Sequence, residues 1–335
     1  MTRLSLGALL TATSGLACAQ PLFDAAPGSG PANQGWIYPA ALMNLIPGVT
    51  IDAIQTVGPA YTTLDTTPDR NDQIGYFSRL PVGLPNVLPP HPGVGTLDDT
   101  TGFRLLFELR IDAEGHNARD DNNDGLMDRA GMSVLVVTNS LDAIEIGFFE
   151  GRVWAYEDGV ADPGDEFTQA EGFDIDTTGA IRRYELVIHD GAYSLSASGV
   201  PLISGLLRDY TGWTPPPSLP VDPYESANLI FIGDDTGSAD SRFEIAFIDL
   251  AQRCPADLTT QGAASGEPLF GVPDNLVTGA DLGYFVNAWV IGDATIADVT
   301  SQGAGIGDPL FGVPDTLTTG ADLSYFVNRW IEGCP

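Results

Sequence analysis

The chain has 335 residues, 43% of them hydrophobic and with aromatics spread along the whole length, so it can bury a sizeable core and is not a disordered acidic tail. It carries 45 acidic residues against 14 basic ones, every one of them Arg, for a net charge of −31. That surplus repels phosphate backbones and anionic membranes, which excludes nucleic-acid binding as a working reading; it suits divalent cations, neutral polysaccharide or a salty exterior, or is only a solubility trait.

In chain order, residues 1–19 read as a Sec signal peptide: a positive start at Arg3, an apolar stretch from Leu4 to Leu16, and Ala17-Cys18-Ala19 as the cleavage site. The apolar stretch is too short to span a bilayer, and no later segment is apolar enough, so the mature protein is expected to be secreted or attached to a cell surface. Cleavage leaves Cys254 and Cys334, which in an oxidising compartment are expected to pair.

Residues 20–252 read as one β-sandwich module. Up to about Gly102 the Pro, Gly and Thr content predicts long loops and a few edge strands. Leu105, Phe107, Leu109 and Ile111 then alternate with charged residues, the period of a half-buried strand. Met132–Thr138, Ile144–Phe149, Arg152–Tyr156, Arg182–His189, Ala192–Ala197, Leu229–Gly233 and Phe243–Leu250 follow as short strands, with hairpin turns at Glu150-Gly151 and Asp190-Gly191. Many short strands and almost no helical period predict an antiparallel sandwich.

Two acidic features lie inside this module. Asp120, Asn122, Asp124 and Asp128 fall at places one, three, five and nine of a calcium loop, with Gly125 at the sharp turn. The twelfth place is Gly131, so the loop is either a calcium pin or a turn whose side chains bond their own backbone. Glu145-Ile146-Gly147-Phe148-Phe149-Glu150 matches the E-x-D-x-x-E of laminarinase-like glycosidases in both glutamates and lacks the central Asp. Glycoside hydrolysis through Glu145 and Glu150 is therefore the one enzymatic alternative. His91, His116 and His189 have no metal-ligand spacing and are expected at the surface or in loops, while Trp36, Trp154, Tyr156, Tyr210 and Trp213 are candidates for stacking on sugar rings.

After Cys254 the pattern changes. Residues 256–290 and 297–331 align without gaps and are identical at 25 of 35 positions. Each copy is an acidic, Gly/Pro-rich loop leading into one amphipathic helix, with capping boxes Thr278-x-x-Asp281 and Thr319-x-x-Asp322. Leu282, Phe285, Val286 and Trp289, and their counterparts Leu323, Phe326, Val327 and Trp330, form apolar stripes that neither helix can bury alone, so the copies should pack together.

The duplicated "ADLT/ADVT" and "GVPD" motifs and the terminal Gly333-Cys334 resemble the GC-type dockerin domains of exported bacterial proteins, over about 253–335. The resemblance implies calcium held by Asp257, Glu267, Asp274, Thr278 and Asp281 in one repeat and by Asp298, Asp308, Asp315, Thr319 and Asp322 in the other. It also implies a cohesin-like or other surface-protein partner, met by Tyr284, Asn287, Tyr325, Asn328 and Arg329. A calcium loop opens on Asp with Asn or Asp two residues later; here those places are Phe270 and Val272, and the same acids could instead be helix caps and turns. A Cys254–Cys334 bridge would clasp the ends of the unit.

Upstream, "DGLMDRAGMSV", "IEIGFFEGRVWA", "LLRDYTGW" and "FIGDDTGSA" resemble choice-of-anchor Y domains, which implies a concanavalin-like jelly roll and no particular activity. The whole then reads as a mainly β protein followed by a small α dockerin-like domain. Its expected function is a secreted, non-catalytic module attached to a surface or assembly through a calcium-dependent tail, with lectin-like carbohydrate binding as the alternative.

Overall fold

The computed structural model describes residues 21–116, 118–252, 256–259, 261–265, 270–271, 277–306, 308 and 310–332. The expected signal peptide, Cys254, Cys334, Glu267 and Asp274 lie outside the described residues.

Among the described residues there are fourteen strands: β1 (Phe23–Asp24), β2 (Ile54–Val57), β3 (Thr62–Asp65), β4 (Ile74–Phe77), β5 (Phe103–His116), β6 (Ser133–Val137), β7 (Ala143–Phe149), β8 (Arg152–Tyr156), β9 (Gln169–Asp174), β10 (Arg182–His189), β11 (Ala192–Ala197), β12 (Val200–Leu206), β13 (Leu229–Asp234) and β14 (Ala239–Gln252). A short helix α1 (Ala40–Met43) precedes β2, and α2 (Gly279–Ile291), α3 (Ala294–Ala297) and α4 (Gly320–Glu332) follow β14. The strands form two antiparallel sheets. One has the order β12-β11-β10-β5-β14-β3-β2, with β1 also paired to β14; the other has the order β4-β13-β6-β7-β8-β9.

The alternation in β5 sets the first sheet. Phe103, Leu105, Phe107, Leu109 and Ile111 are fully buried against the second sheet, while Arg104, Glu108 and Arg110 point outward. Across the outward face, Arg104 pairs with Glu185 at 3.4 Å, Arg110 with Glu244 at 2.8 Å and Arg183 with Glu108 at 2.6 Å. β10 and β11 join at Asp190-Gly191, with φ values of 52° and 67°, the two left-handed positions of a tight hairpin turn.

The second sheet differs, because β4, β6, β7 and β13 are buried on both faces. Ile144, Ile146 and Phe148 enter the core between the sheets. On the other face Leu135, Trp154, Tyr156 and Phe231 meet a second apolar layer that includes Phe167, Tyr210, Trp213 and Tyr224, all outside the strands. Double-sided burial explains why Met132–Thr138 reads as a continuous apolar run with no alternation.

Residues 21–102 contribute more than edge strands: β3 lies between β14 and β2 inside the first sheet, and β4, at the end of the second, is fully buried against β13. His91 is also buried, at 5% exposure, with its Nε2 3.2 Å from the Leu22 carbonyl oxygen and its Nδ1 accepting from the Gly93 amide.

The duplicated copies pack together as their stripes require. Phe285 and Phe326 are fully buried and stack with centroids 3.9 Å apart and planes within 3°. Trp289 Nε1 donates to the Thr319 carbonyl at 2.6 Å, and Trp330 Nε1 to the Thr278 carbonyl at 2.7 Å. Each tryptophan thus bonds the carbonyl of the other copy's helix cap, the reciprocity of a pseudo-twofold pair.

Candidate functional site

Three regions carry the residues singled out by sequence. The first is the outward face of the second sheet, where β7 presents Glu145. This carboxyl is 1% exposed and accepts from the Tyr224 hydroxyl at 2.6 Å. Burial, then the neighbouring Asp235, raises its pKa well above the ordinary value, only partly offset by Tyr224 and Arg129. Tyr210 donates to the Tyr156 carbonyl at 2.7 Å, and the Tyr156 hydroxyl accepts from the Ala130 amide at 2.8 Å. Arg129 lies over Phe167, 4.4 Å from the ring centroid. The cluster is packed shut and hydrogen-bonded internally.

That packing corrects the glycosidase alternative. Glu150 is exposed in the β7–β8 turn while Glu145 is buried within β7, and no bulge interrupts the pairing of β7 with β8. Five residues of extended chain separate the two carboxyls by about 16 Å, against roughly 5–9.5 Å for a glycosidase pair. At Gly147, where the motif wants Asp, a Cβ would fall 2.8 Å from Trp154 Cζ2 and from the Tyr156 hydroxyl. Packing also corrects the sugar-stacking candidates: Trp154, Tyr156 and Tyr210 in the same aromatic layer and Trp36 in the core between the sheets are at most 2% exposed, and Trp213 is half-buried beside Phe167 and Tyr224.

The second region is the loop 120–128. Asp120 accepts from the Asp124 and Gly125 amides, both at 3.0 Å, and Asp124 from the Leu126 amide at 2.7 Å. Asn122 accepts from the Asp124 amide at 3.2 Å, and the buried Asp128 from the Asp121 amide. These are Asx-turn bonds of the kind that close a tight acidic loop.

The third region is the helix pair. Asp281 and Asp322 are fully buried and each accepts four bonds. Asp281 takes the amides of Leu258, Thr259 and Thr278 and the Thr278 hydroxyl; Asp322 takes those of Val299, Thr300 and Thr319 and the Thr319 hydroxyl. Each carboxylate therefore caps its helix and ties down the strand of loop leading into the repeat. In the second copy Asp298 accepts from the Asp315 and Thr316 amides, Asp315 from Gln302 and Leu317, and Asp308 from Leu310. Among the described residues no three His, Cys, Asp or Glu side chains converge as a metal group. In the first copy Asp257 is buried.

The aromatic substitution in the loops has a packing role. Phe270 meets Tyr284 edge-on at 4.8 Å, and Phe311 meets Tyr325 in the same way at 4.9 Å. Where a cation loop would open on a ligand, each repeat instead pins its loop to its own helix. This changes the expected docking residues: Tyr325 is buried at 7% exposure, with Arg329 over its ring at 5.2 Å. Tyr284, Asn328 and Arg329 are half-buried, and Asn287 is exposed.

Fold and sites together define a two-sheet antiparallel β-sandwich with a small duplicated helical unit after it. No family model matches the sequence, and no curated protein does. Among solved structures, the cellulose-induced protein Cip1 is similar over 66% of this chain and 93% of its own, at 9% identity and a TM-score of 0.36. A carbohydrate esterase of the Shiga toxin-encoding bacteriophage phi24B is similar over 69% and 97%, at 10% identity and a TM-score of 0.41. The exoplasmic/lumenal domain of VIP36, in a form bound to Ca2+ and Man3GlcNAc, is similar over 71% and 90%, at 10% identity and a TM-score of 0.34. At this distance no activity or ligand follows from them. No helix among the described residues is long and apolar enough to cross a membrane.

Proposed function

We propose that this chain is a secreted, non-catalytic sandwich module held at a cell surface or in an extracellular assembly by its C-terminal helix pair, which docks a cohesin-like or other surface protein. The observation that supports this reading is the apolar rim of the pair. Val290, Ile291, Ile306, Leu310, Val313, Leu317 and Ile331 are between 44% and 79% exposed. They are seven of the nineteen exposed large apolar side chains among the described residues, on a unit that is less than a quarter of the sequence. Scattered singly such residues mean little, but crowded on one small unit they fit a protein interface.

Val290 and Ile331 are equivalent positions in the duplication, at the C-terminal ends of α2 and α4. The docking face is thus assigned to the helix ends and the second loop rather than to Tyr284 and Tyr325.

The test is retention of the purified full chain on cell-envelope material from its host, compared with Val290→Asp combined with Ile331→Asp. Both positions are exposed, so the fold should survive, and equal melting profiles check this. Loss of retention is the expected result; equal retention of variant and wild type would remove the helix ends from the account.

A further inference from the structure

The outward face of the first sheet carries a cleft of about 430 Å³ that the attachment reading does not use. We propose that this cleft binds neutral sugar residues of a polysaccharide, independently of the helix pair. Its floor is a grid of adjacent strands, in which Asp65 sits between Ile54 and Arg242, and Thr63 between Thr56 and Glu244. Asp112, paired with Arg242, closes the far side. The β2–β3 turn, held by the Gly58 amide on the Tyr61 carbonyl at 2.9 Å, raises Pro59 and Tyr61 as a wall.

The chemistry of this lining is that of a polyol site. Threonine hydroxyls both donate and accept, carboxylates accept from paired ring hydroxyls, and the guanidinium donates. Glu244 is 5% exposed; one of its oxygens is held by Arg110, and its Oε2 has no hydrogen-bond partner among the described residues. A buried carboxylate oxygen left without a donor is costly, and a ligand hydroxyl would supply one. Tyr61, at 36% exposure, is the Tyr or Trp side chain that reaches solvent here, whereas Trp154 and Tyr156 of the opposite sheet are packed away. Its ring offers a face for an apolar sugar surface. Asp65, Asp112 and Glu244 outweigh Arg242, so the cleft repels uronic or sulfated chains, and so does the rest of the protein at a net −31. The volume falls within the roughly 300–1,000 Å³ of ligand pockets.

The experiment is an array of neutral and acidic oligosaccharides probed with the full mature chain, followed by calorimetry with the neutral oligosaccharide that gives the strongest signal. Tyr61→Ala and Thr63→Val are measured beside wild type. The proposal expects binding of neutral members only, weakened roughly two- to tenfold by Tyr61→Ala with an unchanged melting temperature. Thr63→Val should weaken it as well, and both variants should still be retained on envelope material. An array blank at millimolar sugar, equal binding of acidic chains, or variants that bind as tightly as wild type would each overturn it. Since retention is read separately, failure here leaves the attachment reading standing, and the reverse also holds.

Discussion

Asp322→Ala is the substitution whose cost is most directly legible in the structure. Its carboxylate accepts from the amides of Val299 at 2.9 Å, Thr300 at 3.0 Å and Thr319 at 2.6 Å, and from the Thr319 hydroxyl at 3.0 Å. Thr300 is fully buried, so its amide would be stranded, at about 1–3 kcal/mol. Loss of the reciprocal cap at Thr319 adds about 1 kcal/mol, and the Val299 amide adds a smaller amount. The sum, on the order of 2–5 kcal/mol, is a large part of what stabilises a small unit.

Calorimetry of the full chain, read together with the fluorescence of Trp289 and Trp330, should therefore show the helix pair melting about 8 °C lower or more, with the sandwich transition unmoved. Asp322→Asn keeps an acceptor for Val299 and Thr300 but turns a donor toward the Thr319 amide, so it should fall between Ala and wild type. If Asp322→Ala left every transition in place, the carboxylate would not be the structural tie described here.

Three further outcomes follow from the sandwich. Glu145 has a raised pKa, so the native state holds a proton that the unfolded chain releases above about pH 4.3. Its contribution to stability is complete below that pH and is lost as pH rises through the native value. Glu145→Gln should therefore gain stability relative to wild type between about pH 4 and 8 in urea titrations; a variant that loses ground as pH rises contradicts the linkage. Gly147→Asp, which restores the glycosidase motif, should destabilise by about 1–3 kcal/mol because its Cβ would fall 2.8 Å from Trp154 and Tyr156, and a urea midpoint at the wild-type value would refute the packing. Wild type and Glu145→Gln should give the same blank trace on β-glucans, and turnover lost in the variant would revive the paired-carboxylate reading.

Strands with one solvated face were plain in the sequence, because polar side chains alternate with apolar ones: Arg182–His189 and Ala192–Ala197 have the expected bounds, and so does the doubly buried Arg152–Tyr156, which its hairpin turn marks. β9 and β12 were not, since Gly172 and Gly205 interrupt them and all but Gln169 and Ile203 of their residues are half-buried or exposed. The mutual packing of the two repeats was legible from aromatic stripes that had no other partner. The fate of the acidic residues was not. Asp281 reads as a ligand or as a cap, and its capping role rests on where the Leu258 and Thr259 amides lie, some twenty residues away in sequence. The cleft was missed for a related reason: Thr56, Thr63, Asp112 and Glu244 meet only through the pairing of β2, β3, β14 and β5, and no spacing along the chain announces that.

Hydrogen exchange on the full chain, alone and bound to envelope material, tests the attachment account most directly. The account predicts new protection at the ends of α2 and α4 and along the second loop, around Val290, Ile291, Leu310, Leu317 and Ile331, with the sandwich strands unchanged. Protection confined to the sandwich, with the helix pair exchanging as in the free protein, would contradict it.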